Sequence, residues 1–217
     1  DFNEFFFGKD ADNERSTAQA TPIDQFAKDY LGLSVLFAHL SSDGSLCGLT
    51  AYADTEYTIE EHGIKRTIPL KANQVLLDLS FIQPGQVHAL CGKRRFTLAH
   101  ECAHQILFGM ESDNDKRTHE SKYAPRAAYS LRDLKTREDW NEWQANVLGA
   151  AILMPQKEID IAMRQFARGR VLKNYEGRFN YVDRLSLTLL CQSLGVSKSA
   201  AIIRLRQLGY IEDRPFA

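Results

Sequence analysis

The sequence predicts an α+β protein: a small β-sheet set around one long helix, followed by a mainly helical C-terminal region. Three observations predict it. Apolar, β-compatible runs separated by turn signals fall before residue 80. From Arg94 onward the apolar residues recur at helical spacing. The first of those helices, "RRFTLAHECAHQILFG", carries two histidines four residues apart.

Bulk properties set the bounds. A chain of 217 residues buries a sizeable core as one large domain or as a domain with an appendage. Its 44% hydrophobic and 25% charged content is ordinary for a globular protein. The net charge of -1 gives no overall field toward nucleic acid or membrane. Residues 156–217, however, hold 11 Lys/Arg against 6 Asp/Glu, so the C-terminal piece is basic. The four cysteines, Cys47, Cys91, Cys102 and Cys191, form no CxxC pair and read as reduced thiols of a cytoplasmic protein. No run of eighteen apolar residues and no basic-then-apolar leader is present, so no membrane partner is expected.

Taken in order, residues 1–21 read as a flexible tail. Phe2, Phe5, Phe6 and Phe7 precede a polar stretch without periodicity, and the sharper alternative is that these rings dock into an apolar groove. In "TPIDQFAKDYLGL", Thr21 suits an N-cap, Pro22 suits the first turn, and Ile23, Phe26, Ala27 and Tyr30 share a face that ends at Gly32. "LSVLFAHL" and "CGLTAYA" read as strands joined by "SSDGS", and "NQVLLDLS" as a third strand leading to a loop at Pro84-Gly85. A helix from about Arg94 to Phe108 follows, stopped by Gly109. The stretch from Met110 to Arg137 is polar and mixed in charge. Next comes a helix through "REDWNEWQANVLGAAILM", stopped by Pro155, then a helical "QKEIDIAMRQFARGR" and a loop rich in Asn, Gly and Tyr. Residues 22–155 are thus the expected core and 156–217 the helical C-terminal region.

His100 and His104 lie one above the other on a helix and can reach one ion. Glu101 sits about 100° around, beside such an ion without ligating it. Two histidines and a glutamate on a helix this apolar need partners. A catalytic zinc takes three protein ligands and keeps one position for water. The candidates for the third ligand are His119 and the carboxylates near Trp140. Among the latter, Glu142 followed one turn on by Asn146 suits a ligand and an amide that orients a ligand histidine, with Glu138 as the runner-up.

With "RRFTLAHECAH" followed by "EWQANVLGAAILMP", the chain resembles the ImmA/IrrE family of zinc metallopeptidases, over about 22–155, with "GLSVLFAHLSSDGSLCGLT" also in keeping. The resemblance implies a gluzincin-like core, Zn2+ held by His100, His104 and Glu142, and Glu101 as general base. It also implies intracellular cleavage of a helix-turn-helix repressor. This chain departs from the family at Cys102-Ala103 and in the long polar 110–137 insert. Cys102 points roughly 200° from His100, away from the metal. Such chemistry calls for a donor to the oxyanion. The candidates are His119, Tyr123 and Tyr129, in the segment between the motifs.

"TLLCQSLGVSKSAAIIRLRQLG" has the cadence of a helix-turn-helix, with Gly195 at the turn and Ser197 capping the second helix. Ser197, Lys198 and Ser199 are placed to meet DNA, but the modest charge favours a scaffold or substrate-docking role over DNA binding. The expectation is a cytoplasmic zinc endopeptidase acting on a repressor. The alternative is a peptidase-fold regulator that binds DNA or protein without cutting, and intact histidines and Glu101 count against it.

Overall fold

The computed structural model describes residues 16–61, 64–111 and 136–215. It is α+β, and it divides into two compact units, Ile23–Gly149 and Asp1–Pro22 with Ala150–Ala217.

The first unit opens with a helical turn, α1 (Ile23–Gln25), that continues as a π turn over Phe26–Tyr30. Ile23, Phe26 and Ala27 are buried, as their shared face predicts. Strands β1 (Ser34–Ala38), β2 (Gly48–Ala51) and β5 (Gln74–Asp78) fall within the three expected runs. They form one sheet in the order β1-β5-β2, with β1 parallel and β2 antiparallel to β5. Leu40, Leu46, Leu49, Ala51, Leu70 and Leu76 form the apolar cluster beside it.

Between β2 and β5 lies an antiparallel hairpin that was not expected, β3 (Thr55–Glu61) with β4 (Ile64–Leu70). Its strands carry Glu, Lys and Arg on the solvent side, which hides the alternation that buries Ile59 and Leu70. After a 3-10 turn at Leu79–Ile82, capped by the Asp78 carboxylate on the Ser80 N–H, comes α2 (Val87–Met110). This helix begins seven residues before the expected start at Arg94. "VHALCGK" contains no helix breaker except Gly92, which a long helix tolerates at about 1 kcal/mol. At the other end Gly109 stays helical, and the chain turns extended only at Glu111.

Helix α3 (Arg137–Leu153) matches the expected element and is followed at once by α4 (Gln156–Ala167). A reciprocal cap opens α3: the Thr136 N–H donates to Asp139 Oδ2 at 3.0 Å, and the Asp139 N–H donates to Thr136 Oγ1 at 3.1 Å. The division between the two units falls inside this helix, after Gly149.

In the second unit, the expected loop after α4 holds a hairpin instead, β6 (Leu172–Tyr175) with β7 (Arg178–Phe179). Glu176 and Gly177 both take positive φ at its turn, 49° and 89°, as a two-residue I′ turn requires. Helices α5 (Tyr181–Leu194) and α6 (Lys198–Gln207) then form the expected helix-turn-helix, bent by 103°. Gly195 is left-handed at the turn, and Ser197 Oγ accepts the Ala200 N–H. Strand β8 (Ile211–Arg214) returns parallel to β6. Ile159, Met163, Leu172, Leu187, Leu194 and Leu205 are buried here. Ala18 to Thr21 are tied to this unit by hydrogen bonds with Gln165, Glu158, Ser193 and Ile152. Among the described residues no single helix is long and apolar enough to cross a membrane.

Candidate metal centre

Helix α2 is placed by its buried row Leu98, Ala99, Cys102 and Ala103, all fully buried. That burial turns His100, Glu101 and His104 toward a sector bounded by β2 and α3. Gln105 fixes the rotation, its side-chain amide donating to Thr50 Oγ1 at 2.6 Å and to the Ala51 carbonyl at 3.0 Å. Helix α3 reaches the same place because Gly149 lacks a side chain. A Cβ there would stand 3.1 Å from the His100 backbone nitrogen and 3.2 Å from the Ala99 carbonyl oxygen. The two backbones therefore nearly touch, and Glu142, two turns before Gly149, comes level with the histidines.

Three ligand atoms converge. His100 Nε2 and His104 Nε2 are 3.1 Å apart, and Glu142 lies 3.5 Å from the first through Oε2 and 3.8 Å from the second through Oε1. One ligand atom from each of the three residues falls within 4.8 Å of the others, and together they could hold a metal ion. Tetrahedral donors about 2.0–2.1 Å from one ion are separated by about 3.3 Å, so the spacing fits a single metal. His104 is buried, and the side chains of His100 and Glu142 are each only 13% exposed. Burial pushes the His100 imidazole down, but its hydrogen bonds to Glu142 and Asn146, with the charges of Glu101 and Glu142, more than offset it and leave its pKa raised.

Glu101 is buried, and its Oε2 has no hydrogen-bond partner among the described residues. Burial, with Glu142 adding and His100 opposing, pushes its carboxyl up to about 8 before any cation is added. Strand β2 leaves room for this carboxylate through a second missing side chain. A Cβ on Gly48 would meet Thr97 Cγ2 at 2.6 Å and Glu101 Oε1 at 2.9 Å.

The structure thus brings together His100, Glu101, His104, Glu142 and Asn146. Glu138, the runner-up ligand, is exposed on the first turn of α3. Cys102 is buried on the far side of α2, where burial pushes its thiol up. His119, Tyr123 and Tyr129 lie outside the described residues, as do Phe2, Phe5, Phe6 and Phe7. Gly48, Gly149, Gln105 and Tyr52 were not singled out from the sequence. A glycine inside a strand pattern and one inside a helix pattern were the available signals for the first two.

The family model for the IrrE N-terminal-like domain, a peptidase family, matches residues 91–206. No curated protein matches the chain. The matched span covers more than half of the sequence and contains His100, Glu101, His104 and Glu142, so the chain belongs to the peptidase family of IrrE N-terminal-like domains.

Proposed function

We propose that the protein is a zinc-dependent endopeptidase of the cytoplasm whose substrate is a helix-turn-helix transcriptional repressor. The observation that carries the enzymatic part is the convergence of two imidazole nitrogens and one carboxylate beside a buried, unpaired carboxylate oxygen. Two imidazoles and a carboxylate form a donor set that zinc takes in catalytic sites. A zinc ion held there by His100, His104 and Glu142 supplies the positive charge that acidifies a water and polarises a peptide carbonyl. Glu101 accepts the proton of the attacking water and carries it to the departing amine nitrogen. Asn146, which lies against His100, is the residue that would hold that ring in orientation.

The repressor substrate rests on the resemblance to the ImmA/IrrE family, and the free thiols Cys47, Cys91, Cys102 and Cys191 suit a reducing compartment. DNA is disfavoured as a partner because the arginines of α6 are already engaged. Arg204 Nε donates to the Met154 carbonyl at 3.2 Å, and Arg206 pairs with Asp213 through two hydrogen bonds of 3.0 Å.

The test is to incubate zinc-loaded protein, and separately Glu101→Gln, with the proteome of the source cell and to map new N-termini by mass spectrometry. Internal cuts in a helix-turn-helix repressor, made by the wild type alone, are expected. No new termini with metal-loaded wild type would overturn the peptidase reading, and cuts confined to other proteins would overturn the substrate.

A further inference from the structure

We propose that Tyr52 is the hydrogen-bond donor to the oxyanion, its hydroxyl being carried to the metal face by the end of β2 and by its stack on Phe108. This rests on the peptidase reading above. Phe108 lies one turn beyond His104 on α2, and at about 100° per residue its direction falls between those of His104 and Glu101. It therefore marks the sector between the ligands and the base. The Tyr52 ring lies on Phe108 with centroids 4.1 Å apart and planes within 17°. Its backbone is fixed from the same side, since Gln105, the residue after His104, holds the Ala51 carbonyl at 3.0 Å. Burial, then the charges of Glu101, Glu142 and Glu111, push the phenol well above its usual range. The phenol therefore keeps its proton and can donate.

The step balances without further reagents. Water oxygen bonds to the carbonyl carbon, the C=O π pair moves to oxygen, and Tyr52 O–H donates to the resulting O⁻ while keeping its proton. The pair then returns, the C–N bond breaks, and the amine leaves with the proton that Glu101 held. A donor of this kind contributes about 10²- to 10³-fold to turnover.

The test compares wild type with Tyr52→Phe, which keeps the ring stack and removes only the hydroxyl. Metal content, binding of acetohydroxamate and binding of an N-phosphoryl dipeptide, a tetrahedral mimic, are measured on both. Equal metal and equal acetohydroxamate binding, with a 10- to 100-fold loss for the N-phosphoryl dipeptide in Tyr52→Phe, are expected. Equal affinity of both proteins for the N-phosphoryl dipeptide overturns the assignment to Tyr52, as does a metal-loaded wild type that does not bind it. A wild type that binds no metal instead overturns the peptidase reading itself. Metal lost from Tyr52→Phe alone would assign the hydroxyl to holding the site together and overturn its role as donor.

Discussion

At the scale of single residues, the site is a division of labour between neighbours on one helix. His100 and His104 face the place where an ion could bind, while Glu101, about 100° away, faces a pocket that Gly48 leaves open. Glu101→Gln removes the proposed proton carrier and keeps the shape, so turnover should fall about 10²- to 10⁴-fold with metal content unchanged. Gly48→Ala should mimic that loss by a different route. Its Cβ would sit 2.6 Å from Thr97 Cγ2 and 2.9 Å from Glu101 Oε1, displacing the carboxylate while leaving the histidines alone. Steady-state rates beside metal analysis check both variants. A Gly48→Ala enzyme with full activity would mean that Glu101 need not occupy its observed position.

Elements show why the two helices that bring His100, His104 and Glu142 together were legible and their supports were not. The i, i+4 histidines and the later Glu142-to-Asn146 turn stand out because helical geometry forces such pairs to one face. What sets the two helices against each other is a close approach at Gly149, and a glycine among apolar residues looks the same whether it is tolerated or required. Gly149→Ala should gain up to about 1 kcal/mol of helix propensity. It should still lose about tenfold in metal affinity, because the neighbour 3.1 Å away is backbone and Glu142 must retreat with α3. Competition with a chelator of known affinity measures it. Thr136→Ala, by contrast, removes half of a reciprocal cap and should cost about 1 kcal/mol of stability in a denaturant melt, with the metal retained. The hairpins were harder to read for different reasons: β3 and β4 carry few apolar residues among Glu, Lys and Arg, whereas β6 and β7 are only four and two residues long.

For the whole molecule, the order of elements follows from where apolar residues lie, and the site depends on residues 42 apart in sequence, His100 and Glu142. A metal that joins two helices across that separation stabilises the unit Ile23–Gly149 by linkage, by about 2.7 kcal/mol at a concentration one hundred times Kd. The melting temperature should therefore rise with added zinc in wild type and stay flat in His104→Ala. Elemental analysis of wild type, His104→Ala and Glu142→Ala tests whether His100, His104 and Glu142 hold one metal ion. About one zinc per chain is expected in wild type, lost in both variants. Full retention of metal in Glu142→Ala, or no metal in wild type supplied with zinc, would contradict the three-ligand site.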